Sequence, residues 1–82
     1  MTRLVRRPIP TPERDPAGVP RAFVWRGRRL AIAAVLDSWR DAGIWWEGEA
    51  EKTFWRVQVA DGGIYELWED STGRWAVYRV WD

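Results

Sequence analysis

The chain has 82 residues, no cysteine and no histidine, and thirteen basic against twelve acidic side chains. This length allows one domain, whose core must be efficient because so short a chain buries only about 60% of its unfolded surface. The missing residue types exclude disulfides, thiolate or imidazole zinc sites and the usual general base at neutral pH. We therefore expect a protein that is not an enzyme and needs no metal or cofactor.

Charge is divided unevenly along the chain. Residues 1–29 contain eight arginines with Glu13 and Asp15, a net charge of +6, whereas residues 30–82 contain five basic and ten acidic residues, a net charge of −5. No apolar run approaches the roughly 20 residues of a membrane span, and none follows the basic N-terminus as a secretory signal requires. We expect a cytoplasmic protein without a membrane partner, built as a basic arm on a mildly acidic body.

The arm comprises residues 1–20, and all five prolines lie within its segment 8–20. Proline disfavours a helix and a central strand, while DPAG at 15–18 is a turn signal. Two interpretations remain open. Either Leu4–Ile9 folds back on Ala22–Trp25 as an edge strand, or the arm is disordered and stiffened by proline. Residues 21–82 form the predicted domain.

The first part of that domain predicts a hairpin followed by an ambiguous segment. RAFVW (21–25) is extended and aromatic, and RGRR (26–29) is a tight turn in which Gly27 supplies a positive φ. LAIAAVL (30–36) fits a buried strand, but its alanines and the following DSWRDAG also allow a helix with Gly43 as C-cap. We favour a strand to Leu36 and then a short helical turn through Asp41.

The second part predicts a three-stranded antiparallel meander. TFWRVQVA (53–60) and IYELWE (64–69) flank Asp61-Gly62-Gly63, a strong hairpin signal, and RWAVYRVW (74–81) follows across DSTG (70–73). With the two upstream strands, the sequence predicts a mainly β fold. We expect five to six antiparallel strands in a small barrel or strongly curved sheet of SH3-like size, with one short helical segment.

Alternation within the meander predicts two unlike faces. Trp55, Val57 and Val59 share one face, which is core, whereas the opposite face mixes charged with aromatic side chains. An aromatic second face must be covered by the arm, by residues 37–52 or by another molecule, such as a partner protein or a second copy of the chain. The candidate protein-interaction residues are Trp45, Trp46, Trp68 and Trp75. Of the adjacent pair, we expect one ring to plug an end of the barrel and the other to face outward.

Nucleic-acid binding is the other function that the residue pattern favours. Arginines interleaved with aromatic residues in RAFVWRGRR (21–29) combine phosphate neutralisation with base stacking. The alternative is that arginine simply replaces lysine in this sequence and that the turn is charged for solubility. The acidic GIWWEGEAEKTFW segment (43–55) repels phosphate and is a poor platform for nucleic acid. The candidate nucleic-acid-binding residues are Arg26, Arg28, Arg29, Trp25, Arg3, Arg6 and Arg7.

Six motifs carry a family resemblance over residues 20–82: FVWRGRR, VLDSWR, GIWWEGE, FWRV, GGIYELWED and RWAVYRVWD. The chain resembles a small uncharacterised bacterial domain that also forms the C-terminal region of ImuB-type proteins, the inactive relatives of Y-family polymerases used in translesion synthesis. The resemblance implies an accessory role in DNA damage tolerance, exerted through DNA or through a repair protein. It implies no catalytic residues.

Overall fold

The computed structural model describes residues 2–42 and 51–81, which form seven β-strands and no helix. The strands are antiparallel and follow the order β1-β7-β6-β5-β4-β3-β2 in one open sheet. The mainly β prediction is therefore confirmed, whereas the predicted strand number and the helical segment are wrong. Their bounds are β1 Thr2–Ile9, β2 Glu13–Arg14, β3 Pro20–Trp25, β4 Arg28–Asp41, β5 Lys52–Val59, β6 Ile64–Asp70 and β7 Trp75–Trp81.

The predicted helical turn before Asp41 is replaced by strand. β4 runs without interruption from Arg28 to Asp41, pairing first with β3 and then, from Ile32, with β5. Register shifts at Ala33 and Leu36 mark β-bulges, which bend the strand as it exchanges one partner for the other. Pairing with β5 supplies hydrogen-bond partners to backbone N–H and C=O groups that a short helical turn would leave without them. Tertiary pairing therefore outweighs the helical propensity of the alanines.

The three predicted hairpin turns are confirmed. Arg26 and Gly27 connect β3 to β4 with φ values of 52° and 78°, as a two-residue type I′ turn requires. Gly62 between β5 and β6 and Gly73 between β6 and β7 also have positive φ. The meander of β5, β6 and β7 thus follows directly from local turn chemistry.

The N-terminal arm contains two strands, and neither of them makes the predicted pairing of Leu4–Ile9 with Ala22–Trp25. β1 pairs with β7, whereas the two-residue β2 pairs with β3. The DPAG turn forms as expected, with the Asp15 carboxylate accepting hydrogen bonds from the Ala17 and Val19 amides at 2.9 and 3.0 Å. This turn connects β2 to β3, so β1 is free to pair with the far end of the sheet.

One face of the sheet, the core face, packs nine buried side chains into a single cluster. Val57, Leu67 and Val77 are fully enclosed in it, and Trp55 packs against it half-buried, on the predicted side of β5. The core-face cluster is Phe23, Trp25, Leu30, Val57, Val59, Leu67, Trp75, Val77 and Val80. In the described ranges no helix is long and apolar enough to cross a membrane.

Candidate nucleic-acid interface

The β3–β4 turn presents arginine on both sides of a buried indole. Trp25 is only 9% exposed and belongs to the core cluster, with its ring 6.3 Å from that of Tyr65. The Arg26 guanidinium lies over the same indole at 5.1 Å, and Arg28 is the residue opposite Trp25 in the hairpin. Since protein groups enclose this ring, Trp25 supports the turn and leaves no free face on which a base would stack.

Arg7 reaches the same place from a distant part of the sequence. Pairing of β1 with β7 brings its guanidinium to 5.7 Å from the centre of the Trp25 ring. The arginine cluster, defined as Arg7, Arg26 and Arg28, therefore joins two of the predicted basic segments. Within residues 2–42 and 51–81, no carboxylate forms an ion pair with any of the three.

A shallow concavity of about 310 Å³ adjoins the arginine cluster. Arg26 and Arg28 line it together with Asp61, whose Oδ1 accepts a hydrogen bond from the Gly63 amide at 2.9 Å and so holds the β5–β6 turn. Two guanidinium groups and one carboxylate give this concavity a net positive charge. Its charge suits a phosphate group.

Arg29 differs from its neighbour Arg28. It forms a bidentate pair with Glu13 of β2, in which Nη2 lies 2.9 Å from Oε1. This pair lowers the pKa of Glu13, through the hydrogen bond from Arg29, and raises that of Arg29. Arg21 is likewise paired, at 2.9 Å from Asp15. These two arginines are neutralised by partners that the sequence did not identify.

The other two arginines predicted to bind nucleic acid lie away from the cluster. Arg3 lies opposite Val80 near the start of β1. Arg6 has a left-handed backbone, with φ of 53°, at a β-bulge between Leu4 and Arg7. Its guanidinium lies 5.9 Å from the centre of the Tyr78 ring, on the other face of the sheet.

This second face of the sheet, the outer face, combines aromatic rings with cations. Arg56 lies between two indoles, 5.4 Å from the Trp39 ring and 5.3 Å from the Trp81 ring. Arg79 lies 6.0 Å from Trp81 and 5.7 Å from Tyr78. Together with Arg6, rings and guanidinium groups alternate across the sheet from β4 to β1. The outer face is defined by Arg6, Trp39, Lys52, Phe54, Arg56, Glu66, Trp68, Tyr78, Arg79 and Trp81.

A buried carboxylate anchors the outer face. Glu66 is 2% exposed, and its Oε2 accepts a hydrogen bond from the Trp81 indole at 2.9 Å and lies 3.5 Å from the Arg56 Nε. Phe54, also buried, stacks parallel to Trp39 at 5.4 Å and meets Tyr78 edge-on. Rings and charges on this face therefore form a second, polar packing layer.

The four tryptophans predicted to contact a partner have different positions. Trp68 is half-buried on the outer face, with the Lys52 ammonium 5.1 Å from its ring. The prediction for Trp75 is wrong, because it is 3% exposed and lies in the core. A β-bulge at Tyr78 places Tyr78 and Arg79 on the same face and interrupts the regular alternation of β7. Trp45 and Trp46 lie outside the described residues.

The mixed face was predicted, but none of its members Arg56, Tyr78, Arg79 and Trp81 was among the predicted binding residues. The signal was present in FWR (54–56) and YRVW (78–81), where rings and arginines are neighbours. No group of three or more metal-ligating side chains occurs in the described part of the chain. The described side chains of the site are arginines and aromatic rings.

A family model described as a domain of unknown function, DUF6504, matches residues 5–82. The match includes most of the arm and all seven strands, either in full or in large part. Comparison with curated proteins and with solved structures yielded no match.

Proposed function

This chain belongs to the DUF6504 family, and we propose that it is a non-catalytic accessory module that binds nucleic acid through Arg7, Arg26 and Arg28. The proposal rests on the convergence of these three cations from two chain segments. Each contacts or adjoins Trp25, and none is paired with a carboxylate of the described residues. Phosphate oxygens are the acceptors that such uncommitted guanidinium groups bind best.

The biological setting of this binding is proposed from the resemblance of the sequence motifs. A domain similar to the C-terminal region of ImuB-type proteins would accompany a DNA repair scaffold and act through DNA or a protein partner. The absence of histidine and cysteine from the sequence supports a binding role over a catalytic one. DNA is thus the first ligand to test, with a repair protein as the other partner that the resemblance implies.

The salt dependence of binding tests the proposal. If three arginines each neutralise one phosphate, log K against log[salt] has a slope of about −2 for a single strand and about −2.7 for a duplex. Substituting Arg28→Ala removes one phosphate contact, so we expect weaker binding and a slope shallower by about 0.7–0.9. Fluorescence anisotropy with a labelled oligonucleotide measures both quantities.

Arg29→Ala is the matched control, since it removes an equal charge from the next residue. Because Glu13 already neutralises Arg29, its loss should leave the slope almost unchanged. Equal effects of the two substitutions would show that only the total charge of the chain matters. A failure to bind either form of DNA at low salt would refute the proposed function.

A further inference from the structure

The arginine cluster and the outer face meet at β1. Arg6 and Arg7 are consecutive residues of β1, and Arg7 lies over Trp25 on one side of the strand while Arg6 lies over Tyr78 on the other. Both residues lie at an edge of the open sheet, because β1 is its terminal strand. A bulge between Leu4 and Arg7 interrupts the pairing of β1 with β7 at this point. Basic groups therefore continue around the edge from the arginine cluster to the outer face.

Two cations on the outer side of the sheet lie next to that edge, whereas two exposed carboxylates lie far from it. Arg6 and Arg79 lie on β1 and β7. Asp37 and Asp41 lie on β4, four strands from β1, where the register places them opposite Arg56 and Lys52. The Glu66 carboxylate between them is buried and engaged by Trp81 and Arg56. An anionic chain crossing the β1 edge would thus meet positive charge first.

Tyr78 has the contacts expected of an aromatic residue that is fixed in position for stacking with a base. Its half-buried ring lies under two guanidinium groups, those of Arg6 and Arg79, and its edge is supported by Phe54. Stacking of a nucleobase on an aromatic ring is generally stronger than a partly exposed cation–π contact. A base can therefore displace a guanidinium from the ring, and the displaced guanidinium then binds the adjacent phosphate.

We propose that the ligand is a single-stranded nucleic acid that passes from the arginine cluster over β1 onto the outer face. Tyr78 stacks one base, while Arg6 and Arg79 bind the flanking phosphates. A duplex is too stiff over this length to follow the turn around a strand edge, and its bases have no exposed faces. This inference rests on the proposed function and extends it to the class of nucleic acid.

Tyr78→Ala and Tyr78→Phe make the decisive pair of variants. Binding of one labelled oligonucleotide of about 12 nucleotides is measured as a single strand and as a duplex, by anisotropy at fixed low salt. We expect the single strand to bind at least several-fold more tightly than the duplex. Tyr78→Ala should weaken single-strand binding about ten-fold, whereas Tyr78→Phe, which keeps the ring, should bind like the unmodified protein.

Arg6→Ala tests the same inference without removing a packed ring. If circular dichroism shows that Tyr78→Ala does not fold, the result for Arg6→Ala decides. We expect three- to five-fold weaker single-strand binding and a salt slope shallower by about 0.7. Arg14→Ala is its control, because Arg14 is an exposed arginine on β2 that belongs to neither the arginine cluster nor the outer face.

The outcomes separate this inference from the proposed function. Equal binding of duplex and single strand, weakened by Arg28→Ala but not by Arg6→Ala or Tyr78→Ala, would overturn the inference and leave the proposed function intact. Dimerisation that Tyr78→Ala abolishes, with DNA binding unchanged, would assign the outer face to a second copy and also overturn the inference. Loss of all DNA binding would refute both.

Discussion

The two faces of the sheet bury aromatic residues by different means. On the core face, Trp75 packs in the apolar cluster and is almost fully enclosed. On the outer face, Trp39 and Trp81 are half-exposed and are covered by the Arg56 side chain. The same residue type is thus excluded from water by hydrocarbon on one face and by cations on the other.

This difference predicts which face contributes most to the free energy of unfolding and which face can exchange contacts with a ligand. Burial of apolar surface contributes about 25 cal/mol per Å² and is insensitive to moderate salt, so the core face should dominate the free energy of unfolding. A partly exposed cation–π contact contributes only about 0.5–1 kcal/mol. The outer face can therefore exchange its contacts for those of a ligand without unfolding the domain.

The largest expected effect is the loss of a core-face indole. Trp75→Ala should lower the free energy of unfolding by about 3–5 kcal/mol, because the cavity cannot close around the missing ring. Trp68→Ala on the outer face should cost only about 1–2 kcal/mol, since a half-buried ring and one contact with Lys52 are lost. Urea denaturation measures both, and equal losses would contradict the distinction between the faces.

A smaller effect is expected from the carboxylate under the outer face. Glu66→Ala leaves the Trp81 N–H without its acceptor and the Arg56 guanidinium without its ion-pair partner, and should cost about 2–3 kcal/mol. Glu66→Gln keeps an oxygen for the indole, and Arg56 is partly solvated, so its cost should be below about 1 kcal/mol. If both variants lose equal stability, the charge of Glu66 matters more than the hydrogen bond.

The contrast between the faces also explains which elements were predictable. The turns at Gly27, Gly62 and Gly73 were predicted correctly because positive φ is a local requirement that glycine meets. The face on which each side chain of β5 lies was predicted correctly, because that strand pairs with β6 without interruption. Where a bulge interrupts pairing, as at Tyr78, the period of two is lost and the local pattern no longer predicts which face a side chain lies on.

Parts of the site depended on pairings that no local pattern encodes. The turn sequence placed Arg26 and Arg28 at a tip, and this was predicted. Arg7 reaches the arginine cluster only because β1 pairs with β7, about 70 residues away in the sequence. Arg29 is not available to a ligand because it pairs with Glu13. Long-range strand order therefore decided which arginines remain available.

A second buried carboxylate on β6 makes the outer side of that strand sensitive to acid. Asp70 lies two positions beyond Trp68, and its Oδ1 accepts hydrogen bonds from the Thr72 hydroxyl and amide and the Arg74 amide, at 2.6–3.0 Å. The Thr72 hydroxyl, the two amides and the Arg74 charge lower the pKa of Asp70 from 3.8 to about 2. These contacts close the β6–β7 turn.

Protonation of Asp70 should therefore destabilise the fold at low pH. Because the folded pKa is below the unfolded value, the stabilisation is complete above pH 4 and is lost as the pH falls from about 4 to about 2. The loss for Asp70 amounts to about 2 kcal/mol at most. Asp70→Asn is the control, because its amide oxygen retains an acceptor for the turn but takes up no proton. Urea denaturation at pH 5 and pH 2 should show a larger drop for the unmodified protein than for Asp70→Asn. Parallel drops would assign the acid sensitivity to other carboxylates, including Glu13 and Asp15.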